Sequence, residues 1–384
     1  MVTTQSADNV LKSYYLDVVS DQLNKEVNPL LARIKQTTAD VWGRDVRKAV
    51  RLGLNGGIGA GTESGTLPKA GGTRYAQFVS TLKNLYGTIE ITDKAIRASQ
   101  SNEGAFVNLL NDEMDSLVKS SSFNFGRMLF GDGTGKLAKI MFKSGQEYEV
   151  DTVKNLAEGM VVDIYRSGDD LVASGVTVKS VDREGRLVGF YEEFETSGAE
   201  SYIYLQNSKD LEITGLGAIF GDAGTLYGVD RSENPWLKPY MKSVDGGLLE
   251  TELQKAIDAV EEKSGGKINF IVCSWGVRRE LIKEWSKYRQ IDTIDLEGGF
   301  KALSYNGIPI VADRFCPKGT MYLLNTDDFA LHQLCDWQWL EGEDGKILKQ
   351  IAGKPVYTAT LVKYAELMCY RPCGQAMLTN IYED

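Results

Sequence analysis

The sequence predicts a mixed α+β subunit with extended projections, and three observations lead there. A glycine-rich span separates two runs of alternating polar and apolar residues. The longest helical pattern in the chain follows. A block of short strand-like runs then stands between that helix and a region of mixed helices and strands. With 384 residues, the chain has room for two or three domains or one elongated, multi-lobed subunit. Hydrophobic residues make up 42% and charged residues 25%, a balance that supports a packed core and argues against disorder.

The first element is a pair of short amphipathic helices. Leu11, Tyr15, Val18, Val19 and Leu23 fall at helical spacing, and the pattern restarts with Asn28 as N-cap and Pro29 at the first helical position, ahead of Leu30, Leu31 and Ile34. From Val46 to Leu54 the residues Val46, Val50, Leu52 and Leu54 alternate with a face bearing Arg47 and Arg51, which predicts a half-exposed strand. The next stretch, LGLNGGIGAGTESGTLPKAGG, holds too many glycines for a regular element, and Gln77 to Thr92 alternates again. Together they predict a long two-stranded excursion with a flexible tip. An isolated hairpin is marginal in water, so it is expected to lie on something else, such as a neighbouring chain.

A helix is predicted from about Glu103 to Phe130, with Phe106, Leu109, Leu110, Met114, Leu117, Val118, Phe125, Met128 and Leu129 on one stripe, Asn102 as its cap and Gly131 as its stop. At ~1.5 Å per residue it spans about 40 Å, a beam more than a core helix. Short strands follow at Val161 to Tyr165, Leu171 to Val178, Leu187 to Tyr191 and Tyr202 to Leu205, separated by SGDD, DREG and TSGAE turns. They predict a small all-β, barrel-like module, inserted because mixed sequence resumes on both sides. The remainder predicts a helix at Leu248 to Lys263, a buried strand at Ile268 to Cys273, and a helix at Trp275 to Lys287. Strands are expected near Ile308 to Ala312, Met321 to Asn325 and Phe329 to Leu334, and then a long alternating region from Val356 to Ile381.

Charge and composition narrow the function. The 53 acidic and 43 basic side chains give a net charge of -10 and a pI near 5.0, a field that repels polyanions and disfavours tight wrapping of nucleic acid. A container with a mildly acidic lumen, along which duplex DNA slides, remains compatible with it. Cys273, Cys316, Cys335, Cys369 and Cys373 are odd in number and sit mostly in apolar runs, so reduced core thiols and a cytoplasmic product are expected. The N-terminal MVTTQSADN has no secretion-signal pattern, and no stretch approaches a membrane span.

No motif asks for chemistry. GDGTGK at Gly131 to Lys136 fails the phosphate-loop pattern, with Phe130 where glycine is needed and Leu137 where serine or threonine is needed. GGIGAG at Gly56 to Gly61 lacks the flanking strand and helix of a dinucleotide site. The single histidine, His332, removes most acid-base, triad and metal schemes and reads as a packed or surface strand residue. Glu341, Glu343 and Asp344 read as a solvated loop. No catalytic, cofactor-binding or metal-binding residue is assigned, and no cofactor is expected.

In its order of parts the chain resembles the Hong Kong 97-type major capsid protein of tailed double-stranded DNA bacteriophages. TLKNLYGTIEITDKAIRAS (Thr81 to Ser99) looks like that family's passage from extended loop to spine helix, and LFGDGTGK (Leu129 to Lys136) like the turn after the spine. INFIVCSWGVRRELIKEW and YNGIPIVADRFCPKGTMYLLNTDDFAL are similar to the strands and helix of its axial domain. The resemblance implies an N-terminal arm at 1–45, an extended β-hairpin loop and return strand at 46–100, and the spine helix with the first part of a peripheral domain at 101–139. It further implies the inserted all-β domain at 140–215, an axial domain at 216–345, and the peripheral return with a C-terminal strand at 346–384. It implies hexamers and pentamers of this chain closing into an icosahedral shell around double-stranded DNA, without sequence-specific binding and without a membrane, and maturation from a compact precursor shell. The implied location is the virion capsid, assembled in the host cytoplasm. A separate scaffolding protein, a portal and a decoration protein are the further partners implied. The span Gly53 to Gly72 is expected to act as the hinge of maturation. Lys69 and Lys83 lie in or beside the hairpin, but no motif marks an asparagine partner, so no covalent cross-link is expected. The rival readings are an encapsulin-like nanocompartment shell, a tail-tube component and a nucleotide-using enzyme.

Overall fold

A computed structural model describes residues 28–95, 103–196, 200–247, 250–286, 293–295, 301–342, 345 and 347–383. The helix expected around Leu11 to Leu23 and the cap at Asn102 lie outside the described residues. Where the arm emerges, Asn28 caps the short helix Pro29–Arg33, its Oδ1 accepting from the Leu30 and Leu31 N–H groups at 3.0 and 3.1 Å. Leu30, Leu31 and Ile34 anchor this turn in the main core.

The largest layer is a seven-stranded sheet ordered Tyr240–Gly246, Ala376–Ile381, Met321–Leu324, Phe270–Cys273, Ile308–Ala312, Lys301–Tyr305, Thr293–Asp295. Its central strands, FIVC and MYLL, are buried at every residue, which is why they read as continuous apolar runs with no alternation. The period-two rule still sorts their side chains. Phe270, Val272, Tyr322 and Leu324 enter the main core, whereas Ile271, Cys273, Met321 and Leu323 meet Leu253, Ala256 and Val260 of the helix Glu250–Ser264 and Val277 and Leu281 of the helix Trp275–Trp285.

A five-stranded sheet forms the second layer. Val356–Cys369 is its centre, flanked by Phe329–Trp339 on one side and Lys83–Thr92 on the other, with Lys35–Thr37 running parallel to Phe329–Trp339 and Lys349–Gln350 at one end. The helix Glu103–Phe130 lies on this sheet at Gly87, where a Cβ would come within 2.9 Å of Leu117 Cδ1. The expected helix is present at the expected length. Its C-terminal third is no free beam: Ser121, Ser122 and the whole run from Phe125 to Phe130 are buried. Burial there extends beyond the stripe of Phe125, Met128 and Leu129 to Gly126 and Arg127 as well.

Between Lys136 and Leu205, six strands close into a barrel in the order Leu187–Phe190, Glu147–Val150, Lys136–Ser144, Ser201–Leu205, Val161–Arg166, Leu171–Asp182. It has its own core, including Tyr148, Val150, Val162, Ile164, Val178, Val188 and Ile203.

Three sequence expectations change. The alternating run Gln77 to Thr92 is two strands: Arg74–Thr81 pairs with Asp45–Leu52, while Lys83–Thr92 pairs with Val356–Ala365 in the five-stranded sheet. Leu82 makes the switch, its N–H donating to Arg44 O at 2.8 Å. The boundary drawn at 345 does not follow sheet membership, because Phe329–Trp339 already belongs to the five-stranded sheet and Ala376–Ile381 returns to the seven-stranded one. The barrel starts at Lys136, before the boundary at 140, and its last strand ends at Leu205. Pairing partners far apart in sequence decide all three, and alternation alone does not name a partner.

Candidate assembly surfaces

A small sheet stands apart from the two large ones, in which Val41–Trp42, Asp45–Leu52 and Arg74–Thr81 pair antiparallel. Trp42 stands opposite Asp45, Arg47 opposite Val79, and Arg51 opposite Tyr75. Since side chains alternate along each strand, the sheet has two unlike faces. The inner face places Val46, Val50 and Phe78 in the main core; the Phe78 ring lies 5.4 Å from that of Tyr227, and the Val79 N–H donates to Tyr227 O at 3.0 Å. The outer face carries Trp42, 70% exposed, and Tyr75, 68% exposed, with Val79, Arg47 and Arg51 beside them. The inner face of the hairpin base therefore rests on its own subunit, which supplies part of the support the sequence asked for.

Beyond that base the chain runs free. Leu54, Ile58 and Leu67 are 92%, 89% and 90% exposed, large apolar residues that nothing among the described residues covers. The glycines between them have a definite task. A Cβ on Gly71 would fall 2.4 Å from Gly57 N, and one on Gly57 would fall 2.9 Å from Gly71 N, so the two limbs touch backbone to backbone. Asn55 fastens the pinch, its Oδ1 accepting from Gly57 N at 2.9 Å and its Nδ2 donating to Thr73 Oγ1 at 3.3 Å.

Polar groups buried between the layers act as ties. Arg127 of the long helix donates to both carboxylate oxygens of Glu212, one bond at 2.9 Å, with both side chains almost fully buried. Two residues on, Thr214 N–H donates to Glu366 Oε1 at 2.8 Å, while Glu366 Oε2 is buried without a partner among the described residues. Burial pushes the Glu366 carboxyl up to about 7. Lys363 is fully buried in the same strand, donating to Gln333 Oε1 at 2.8 Å and Asp336 Oδ1 at 2.5 Å over the rings of Phe125 and Trp337; desolvation lowers its pKa. At the barrel's contact with the loop joining Ile308–Ala312 to Met321–Leu324, Lys154 donates to Cys316 O near Asp313, whose carboxyl burial raises to about 6.

The residues weighed for chemistry take structural places. His332 is buried, with Nδ1 2.8 Å from Ala39 O and Nε2 2.7 Å from Tyr370 Oη, and burial lowers its pKa. These bonds tie the segment after Lys35–Thr37 to the five-stranded sheet. In the Gly131 to Lys136 turn, Asp132 Oδ1 accepts from Thr134 N and Oγ1, and a Cβ on Gly135 would lie 2.6 Å from Ser208 O, so its glycines serve close backbone contact. Cys273, Cys316, Cys369 and Cys373 are buried free thiols; burial raises all four, Cys273 to about 12 and Cys373 to about 11. Among the described residues no group of His, Cys, Asp or Glu is placed to hold a metal, and no helix is long and apolar enough to cross a membrane. Glu343 and Asp344 lie outside the described residues.

Sequence reasoning missed Trp42 and Tyr75 as surface residues. The signal was present, since both share the alternation phase of Arg47 and Arg51 once the register is known. Lys363 and Glu366 were also legible as charges inside the apolar run LVKYAELMC, although nothing in that run names Asp336 or Thr214 as partners.

No protein-family model and no curated protein matches the sequence. Solved structures do. The capsid asymmetric unit of cyanophage A-1(L) superposes with a TM-score of 0.57 at 12% identity, covering 94% of this chain and 93% of that one. The holo-SrpI encapsulin complex from Synechococcus elongatus PCC 7942 gives a TM-score of 0.46 at 12% identity over 95% of each chain, and Mycobacterium phage Bobi gives 0.46 at 8% identity over 92% and 91%. At those scores the last two carry no argument. The first, end to end at low identity, shows that this chain has the Hong Kong 97-like capsid fold.

Proposed function

We propose that this chain is the major capsid protein of a tailed double-stranded DNA phage, a structural subunit and not an enzyme. The observation that carries the reading is the capsid fold shared over 94% of the chain. The exposed Leu54, Ile58 and Leu67 support it, because a water-soluble monomer gains nothing from a glycine-pinched tongue with an apolar tip, whereas a subunit that lays the tongue on its neighbour buries those residues. Copies ring up as hexamers and pentamers and close into a shell around DNA that they contact without reading its sequence. The barrel is an insertion into this fold. Scaffolding, portal and decoration proteins complete the assembly, which proceeds in the host cytoplasm and ends in the virion.

The test is electron microscopy of the purified full-length protein, alone and with the products of neighbouring genes. Closed icosahedral shells are expected. Tubes or stacked rings would place the chain in a tail, and shells isolated from the native host with enzyme cargo in place of DNA would make it an encapsulin. A nucleotide-using enzyme predicts a thermal shift with ATP and magnesium; a flat response is expected, because Gly133 and Gly135 of the Gly131 to Lys136 turn lie against the backbone of residues 208–213.

A further inference from the structure

The charge of the chain is unevenly placed. Residues 44–81 hold six basic side chains (Arg44, Arg47, Lys48, Arg51, Lys69, Arg74) against two acidic ones (Asp45, Glu63), which leaves 37 basic and 51 acidic residues for the rest of the chain. A segment of net +4 therefore projects from a body of net -14. The inner face of its sheet is already taken by the subunit's own Tyr227. Its outer face sets Trp42, Tyr75 and Val79 among Arg47 and Arg51, all exposed. Among the described residues Arg47 has only the half-buried Asp45 at 3.3 Å, and Arg51 has no carboxylate within ion-pair distance.

We propose that this outer face, built on Trp42, Arg47, Arg51 and Tyr75, docks on an acidic surface of a second copy of this chain. The proposal rests on the shell reading and adds to it which face makes the contact and what chemistry it selects. Tryptophan, tyrosine and arginine are the residue types that concentrate binding energy where two proteins meet, and here all three lie on one flat face. The complementary charge is available in the same polypeptide, whose residues outside 44–81 carry the acidic excess that this segment lacks. Within a shell each copy then gives a basic face and receives one, a head-to-tail contact that repeats around a ring. Because the arginines are exposed at the start of docking, the association should weaken with added salt.

The experiment compares full-length wild type with Arg47→Glu/Arg51→Glu and, as a milder pair, Arg47→Gln/Arg51→Gln. Association is followed by light scattering and sedimentation across a salt series, with microscopy of the products and a thermal melt of each unassembled subunit. A third variant, Trp42→Ser/Tyr75→Ser, removes the aromatic part. The expected result is wild-type assembly that declines as salt rises, at least about tenfold weaker association in the charge-reversed protein, an intermediate effect for glutamine, and melts that match wild type. Charge-reversed protein that melts like wild type and assembles equally well would overturn the docking face while leaving the shell reading intact. Wild type that stays monomeric under every condition would remove both. A duplex DNA oligonucleotide added to the same proteins covers the remaining occupant: DNA binding lost with Arg47 and Arg51, with association between copies unchanged, would overturn docking between copies and assign the face to nucleic acid.

Discussion

At the scale of single residues, the buried ionisable groups make the sharpest predictions. Glu366 has its carboxyl raised from 4.5 to about 7 by burial. Between those values the folded chain keeps a proton that the unfolded chain has lost, so this group's contribution to stability is full below about pH 4.5 and is lost as pH rises through about 7. Glu366→Gln keeps an acceptor for the Thr214 N–H and removes the charge. It should therefore stabilise the subunit above neutral pH by on the order of 3 kcal/mol and leave it nearly unchanged in acid. Urea unfolding of both proteins at a series of pH values checks this, and an unaltered slope between about pH 5 and 7 in the variant would refute it; Asp313 leaves a smaller slope of the same sign below about pH 6. The pair Arg127 and Glu212 predicts the opposite response. Glu212→Ala strands a guanidinium between helix and sheet and should cost about 3–5 kcal/mol, whereas Arg127→Met with Glu212→Leu should cost far less, measured by the same unfolding curves. Such pairs are poorly legible in sequence because their members lie 85 positions apart.

At the scale of elements, helices and caps were the most legible features, since their signals are local. Asn28 and Pro29 fix a helix start without reference to anything distant, and the Glu103–Phe130 pattern carries its own length. Strands fared worse wherever pairing decides. Tyr240–Gly246 and Lys301–Tyr305 show weak alternation and become strands because a buried neighbour offers an edge. The hairpin illustrates both cases, its base predicted by alternation and its tip by glycine content, yet the role of those glycines was misjudged as freedom alone. With Gly57 and Gly71 in backbone contact, Gly71→Ala forces the limbs apart at the tip and nowhere else. The subunit's melting temperature should stay within about 1–2 °C of wild type, because surface changes remote from the core are nearly neutral, while shell formation should fall sharply. Equal assembly yield by microscopy would show that tip geometry is irrelevant to contact between copies.

At the scale of the whole molecule, the barrel poses the remaining question of whether the body needs it. The polypeptide leaves the long helix, turns at Gly131 to Lys136, builds the barrel and comes back through residues 206–213, and the two crossings touch: Asp210 N–H donates to Thr134 O at 2.8 Å. Ends held that close can be joined by a short linker with little loop entropy. The barrel's core is composed of residues from its own strands and the segments between them, and Lys154 to Cys316 O is a polar tie from it to the loop after Ile308–Ala312. Replacing residues 136–208 by a few glycines and serines should therefore leave a body that still folds, with Arg127 and Glu212 paired and Thr214 on Glu366. The excised 136–205 segment should fold by itself, since a closed barrel leaves no edge strand in need of a partner. Near-UV circular dichroism and cooperative melting of both pieces decide the matter. Two folded products would establish the barrel as an insertion, free to vary while the body is kept. A body that melts without cooperativity would instead make the barrel part of the subunit's own core, and the chain would have to be read as one indivisible fold.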